Sequence, residues 1–230
     1  MSPLPYHTDY PGVIPTSDSP MFNRVFKHYA MWLYRRRFDA VYYKGDYSPG
    51  SLDSTVWYLN HYTWWDALTP LLLNELLHRQ KLRAIMDEVQ VRKYPFFRKL
   101  GAFSVDRTNP RKAVHSLRYA ADSLTQECVG LYMFPQGSIR PELERPIKFE
   151  SGLAWLYQSC PSVDFVPIAT TMNTRYSERP RLFIRSGSPI KRSTNDRDQL
   201  TAALCEALEA LMDDLHRTAE EEHPLWQRII

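Results

Sequence analysis

The spacing of apolar positions changes period repeatedly along the chain. Residues 1–20 are Pro-rich and read as an extended arm. Over 21–39 the period is helical, with Phe22, Val25, Phe26, Tyr29, Trp32 and Leu33 on one face. Arg24, Lys27 and His28 take the other face, and Arg35, Arg36 and Arg37 close the segment. Such an amphipathic helix suits either a membrane interface or a core with a solvated basic side.

Beyond it, strand-like and helix-like runs alternate. Strands are expected over 40–44 and 54–59, separated by a turn at Ser48-Pro49-Gly50. Residues 60–65 read as a loop, 66–81 as a helix and 82–86 as a strand. A short helix over 94–100 ends at Gly101, followed by a strand over 103–105 and a helix over 110–124. A buried strand over 129–134, a helix over 150–158 and strands over 163–171 and 181–186 come next. A final helix spans 194–222, with Leu200, Ala203, Leu204, Ala207 and Leu211 as its buried stripe. This alternation predicts a single α/β domain over 40–230, with a mostly parallel or mixed central sheet flanked by helices. Functional residues then belong in loops beyond the carboxyl ends of the strands.

Composition narrows the class. With 43% hydrophobic and 24% charged residues, the chain has the makeup of a soluble globular protein. The longest uncharged run, 151–163, is shorter than the roughly 18–20 residues a membrane span needs. The first twenty residues lack the apolar core of a secretory signal. A protein acting on lipids would therefore lie on the bilayer, on its cytoplasmic side. Cys128, Cys160 and Cys205 are far apart and form no CxxC pair, which points to reduced core thiols and neither a disulfide framework nor a metal site.

The net charge of +3 is unevenly spread. Residues 79–118 are strongly basic, and the last thirty-five carry Glu206, Glu209, Asp213, Asp214 and Glu220–Glu222. Within the basic stretch, Arg92, Lys93, Arg98 and Lys99 suit anionic lipid or a carrier protein, or simply a solvated face. No nucleic-acid motif accompanies them.

The chemistry-bearing residues begin at Asn60-His61-Tyr62-Thr63-Trp64-Trp65-Asp66. Five residues is too long for stacking on one helix face. A His in the loop and an Asp in the first helical turn still meet if the chain folds back. The carboxylate then fixes the ring tautomer and leaves the other nitrogen to take a proton from a hydroxyl. Chance alone gives about 0.4 such pairs in a chain of this composition, so a structural His near a helix start competes with that reading. Trp64 and Trp65 beside it suit an acyl tunnel or ordinary packing.

Three later segments follow apolar strands in order: Gly101-Ala102-Phe103-Ser104-Val105-Asp106-Arg107, then Phe134-Pro135-Gln136-Gly137-Ser138-Ile139-Arg140, then Val166-Pro167-Ile168-Ala169. With the His–Asp segment, they resemble the four blocks of the glycerolipid acyltransferase family, which read roughly NHxxxxD, GxxFxxR, FPEGTRS and an apolar V-P-[IV] strand. The resemblance runs from about Tyr58 to Ala169. It implies acyl transfer from acyl-CoA or acyl-ACP to a lipid hydroxyl, with His61 as general base and Asp66 as its orienting partner. The expected product is phosphatidic acid from 1-acylglycerol-3-phosphate, in phospholipid biosynthesis at a membrane surface. Arg107 is then expected to bind the acceptor phosphate, with Gln136, Gly137, Ser138 and Arg140 lining the acceptor site. No cofactor is implied, and the absence of a G-x-S-x-G turn argues against an acyl-enzyme. Two positions depart from the pattern. Gln136 stands where Glu is common, and Arg140 comes one place late behind Ile139. Both keep open a glycolipid or carotenoid glycoside as the acceptor.

Overall fold

A computed structural model describes residues 10–50, 53–191, 194–219 and 226–230. Eight strands form one mixed sheet: β1 (Ala40–Gly45), β2 (Thr55–Leu59), β3 (Lys81–Asp87), β4 (Ala102–Val105), β5 (Val129–Met133), β6 (Asp164–Asn173), β7 (Arg181–Ser186) and β8 (Gln227–Arg228). Their order is β4-β3-β5-β2-β6-β7-β1-β8. Strands β4, β3, β5, β2 and β6 are parallel, so their carboxyl ends share one edge. Strand β7 runs antiparallel to β6 and parallel to β1, and β8 closes the far edge antiparallel to β1.

Among the described residues, six α-helices cover this sheet: α1 (Pro20–Arg37), α2 (Thr69–Leu73), α3 (Glu88–Lys93), α4 (Pro110–Gln126), α5 (Gly152–Ser159) and α6 (Arg197–Thr218). The central strand β2 is buried along its whole length, and its side chains alternate between two cores. Val56 and Tyr58 pack with residues of α4, α5 and α6, while Trp57 and Leu59 pack with residues of α1 and α2. Among the described residues, no helix is long and apolar enough to cross a membrane.

The α/β architecture and mixed sheet are as the hydrophobic pattern implies, but several element boundaries are not. The expected helix over 66–81 is three pieces: a 3-10 turn at Trp64–Ala67, then α2, then a π turn at Asn74–His78. Pro70 at the start of α2 prevents one continuous helix, because it lacks the N–H the preceding turn would use. Arg79, at φ 53°, then turns the chain into β3. The Asn74 side chain ties that corner to both the N–H and the C=O of Gln80. Helix α3 and strand β8 were not expected at all. The first is a short polar helix capped by the Asp87 carboxylate on the Val89 N–H. The final helix is shorter than expected: Asp196 caps it, and Glu220–Glu222 lie outside the described residues.

Helix α1 starts at the Ser19 cap and Pro20, and ends in three arginines that suit the negative end of its dipole. Its apolar residues are divided differently from the pattern's single face. Ala30, Met31 and Tyr34 are buried, with Phe26 and Leu33 half-buried. Met21, Val25, Tyr29 and Trp32 instead form an exposed stripe on the solvent side. None of the three cysteines forms a disulfide. Cys160 is buried and Cys205 half-buried, but Cys128, expected in the core, is exposed in the connection between α4 and β5.

Only part of the arm is extended: residues 10–13 form a turn closed by the Val13 N–H on the Tyr10 carbonyl, with Gly12 at φ 86°, and the residues after it cover the β4 edge before Pro20 opens α1. The Ser104 N–H donates to the Ile14 carbonyl and the Ile14 N–H to the Ser104 hydroxyl. Residues 1–9 of the expected arm lie outside the described residues. Asp18 latches the arm by a two-pronged pair with Arg83, whose guanidinium also reaches Glu127 at 3.1 Å. The Arg83 side chain is only 5% exposed, so removing its charge leaves Asp18 and Glu127 with Lys81, which lies 3.8 Å from the first and 2.7 Å from the second. Arg83→Met is expected to lower unfolding stability by about 2–3 kcal/mol, less than for a fully buried pair because Lys81 still faces Glu127. Urea unfolding checks this, and a change under about 0.5 kcal/mol would reduce the latch to an ordinary surface contact.

Candidate active site

The site forms where β2 ends at the shared carboxyl edge of the parallel strands. Asn60, fully buried, closes the strand against β6: its amide donates to the Thr170 carbonyl and its oxygen accepts the Thr170 N–H. His61 follows, two residues beyond the end of β2. The chain then bends into the 3-10 turn, which returns Asp66 to His61.

One oxygen of Asp66 is the hub of this bend. Its Oδ2 accepts from His61 Nδ1 at 2.8 Å, from the Tyr62 N–H at 2.8 Å and from the Thr63 N–H at 2.9 Å. The backbone donors hold the carboxylate before the ring is considered, which is how a five-residue spacing becomes a contact. Asp66 is 2% exposed. Burial raises its carboxyl above the usual range, and the His61 ring and the two N–H groups oppose that rise. Because a carboxylate only accepts, a neutral His61 ring bonded to it carries its proton on Nδ1, which leaves the Nε2 lone pair free. The His61 side chain is 20% exposed, so the ring is reachable.

A second segment, the loop after β5, meets the same histidine. Gln136 Oε1 accepts the His61 N–H at 2.7 Å, and the Arg140 N–H donates to the His61 carbonyl at 2.8 Å. The Phe134 ring lies 4.6 Å from the imidazole, centre to centre. Gly137 turns this loop at φ 70°, and a Cβ there would come within 2.7 Å of the Arg107 guanidinium. Arg107, beyond β4, therefore packs on the Gly137 turn, and its Nε lies 3.3 Å from Asp87 Oδ2 at the end of β3. Ser138 is half-buried in this turn, and the Arg140 side chain is exposed.

The structure thus joins His61 with Asp66, Gln136 and the Arg140 backbone, and Arg107 with Gly137. Sequence reasoning did not single out Asn60, Phe134, Asp87 or Thr170. Asn60 sits inside the first block, so its place beside His61 was a usable signal. The Asp87 and Thr170 contacts join distant strands and had none. Of the two tryptophans, Trp65 packs on Tyr34 and Phe38 while Trp64 is 61% exposed. The basic residues nearby are partly structural: Arg92 pairs with Glu88, and Arg98 donates to the Pro15 carbonyl.

The profile of the acyltransferase family matches residues 49–171, more than half of the chain. Among solved structures, the chain is similar to PlsC, the 1-acyl-sn-glycerophosphate (LPA) acyltransferase of Thermotoga maritima. The TM-score is 0.60 at 15% identity, covering 84% of this chain and 79% of that one. At that identity the likeness is one of fold. No curated protein matches the sequence significantly.

Proposed function

The chain belongs to the acyltransferase family, and from that premise we propose that it acylates a lipid hydroxyl by general-base catalysis at His61. The carrying observation is the bond between His61 Nδ1 and the buried Asp66 carboxylate, which leaves Nε2 to act. In this reading Nε2 takes the proton of the acceptor hydroxyl as its oxygen attacks the carbonyl of acyl-CoA or acyl-ACP. The new C–O bond forms a tetrahedral intermediate, which collapses with loss of the C–S bond. The imidazolium returns the proton to the departing thiolate. Asp66 holds the ring and stabilises its charged form throughout. No acyl-enzyme and no cofactor are needed, since a thioester is already an activated acyl donor.

We assign 1-acylglycerol-3-phosphate as the acceptor and phosphatidic acid as the product, placing the chain in phospholipid biosynthesis. The order of the sequence blocks supports this, as does the activity of the similar Thermotoga protein. Arg107, Gly137 and Ser138 then receive the headgroup, with the Arg140 side chain at the rim. A second reading, a glycolipid or carotenoid glycoside acceptor, draws on the Arg107–Asp87 contact, because an Arg already facing a carboxylate suits hydroxyls as well as phosphate.

The exposed stripe of Met21, Val25, Tyr29 and Trp32 supports a peripheral place on the cytoplasmic face of a membrane. Helix α1 carries no acidic residue, and Arg36 lies over Trp32 at 5.6 Å. Apolar and aromatic side chains beside arginines fit an anionic interface.

One assay tests these assignments. The purified chain is given mixed acyl-CoA and acyl-ACP donors and anionic vesicles carrying equal lysophosphatidic acid and monoglycosyl lipid. Products are read by mass spectrometry. Phosphatidic acid is expected to dominate, and Trp32→Glu is expected to lower its yield by loss of vesicle binding. Dominant glycolipid acylation would select the second acceptor, and no acylated lipid at all would overturn the proposal.

A further inference from the structure

We propose that Gln136 is a positioning residue for His61, acting through the histidine's backbone rather than as a ligand of the acceptor headgroup. The inference rests on His61 being the general base. It begins with a donor that the sheet does not satisfy. Strand β2 ends at Leu59, where its pairing with β6 also stops, and its register with β5 ends one residue earlier. The N–H of His61 therefore emerges beyond both ladders. A backbone donor partly withdrawn from water is left without a sheet partner there and needs another acceptor. Gln136 Oε1 supplies it at 2.7 Å, from a side chain in a residue only 9% exposed.

That side chain comes from a loop that is itself held. The Gly137 N–H donates to the Phe134 carbonyl at 3.0 Å, and the Glu150 N–H to the Pro135 carbonyl at 2.8 Å. The same loop also holds the other side of the His61 peptide, through the Arg140 N–H on the His61 carbonyl. His61 is thus gripped at three places: N–H by Gln136, carbonyl by Arg140, ring by Asp66. The loop grips the main chain and Asp66 sets the ring, so the direction of Nε2 needs both. Loss of the Gln136 bond frees the histidine backbone to shift relative to the bound hydroxyl, and small displacements of a reacting group cost rate steeply.

The two roles for Gln136 separate in steady-state kinetics. A positioning residue changes kcat and leaves the acceptor KM alone, whereas a headgroup ligand changes KM. Gln136→Met keeps the volume and removes the oxygen; Gln136→Glu keeps an oxygen that can accept the His61 N–H. With lysophosphatidic acid as acceptor, Gln136→Met is expected to lower kcat about tenfold to a hundredfold with KM within about threefold. Gln136→Glu is expected to recover most of that loss with an unchanged KM. A carboxylate placed directly against a bound phosphate would instead raise KM.

A readout independent of turnover accompanies the kinetics. In Gln136→Met, amide hydrogen exchange at His61 is expected to rise at least tenfold, while Gln136→Glu remains close to wild type. His61→Ala run alongside separates two failures. If it transfers acyl groups as well as wild type does, the general-base reading falls, whatever Gln136 does. If His61→Ala is inactive, a raised acceptor KM in either Gln136 variant overturns the positioning role, as does unchanged His61 exchange in Gln136→Met. Should the methionine variant fail to fold, Gln136→Glu decides alone: wild-type KM and His61 exchange support positioning, and a tenfold higher KM or faster exchange rejects it.

Discussion

Asp66→Asn is expected to lower kcat about 100- to 1000-fold while leaving the KM for acyl donor and acceptor within about threefold. The fold should survive, because an amide oxygen still accepts the N–H groups of Tyr62 and Thr63 that hold the carboxylate now. What changes at the ring is the charge. The negative charge that stabilises the imidazolium during proton transfer is lost, and the neutral amide oxygen that takes its place beside Nδ1 accepts that proton more weakly. The substitution therefore damages the chemistry while sparing the site's shape. Steady-state kinetics beside a thermal unfolding curve check it. A kcat within threefold of wild type would mean that the His61–Asp66 contact is merely structural.

Much of the fold was readable in local windows of sequence. The continuous apolar runs of β2 and β5 announce strands buried on both faces, and their alternation with helical periods implies an α/β sheet. The His61–Asp66 pair stood within one seven-residue segment. What local pattern misses falls into two kinds. The first is short elements decided by caps and corners: α3 depends on Asp87 as a cap, and the break of 66–81 on Pro70 and Arg79. The second is contact between distant segments. Asn60 meets Thr170 across 110 residues, and Gln136 meets His61 across 75. Helix α1 shows a subtler case. Its apolar residues cover too much of the circumference for one buried face, and only the packing of Ala30, Met31 and Tyr34 reveals which side is inward.

The departures at Gln136 and Arg140 also look different in three dimensions. Read as sequence, they weaken a phosphate site. In the fold, the Gln136 oxygen and the Arg140 N–H both serve the His61 backbone, a job that does not require the carboxylate common at the first position. The Gln136 side chain keeps its contact without the added negative charge, and Arg140 makes its contact with a backbone group that is independent of side-chain identity.

In the proposed mechanism His61 itself moves the proton. His61→Ala, with folding verified by circular dichroism, should be assayed in a single turnover with saturating acyl-CoA and lysophosphatidic acid. The rate is expected to fall about 1000- to 10,000-fold, with the donor still bound. A well-folded variant that forms acylated lipid within tenfold of the wild-type rate would contradict it.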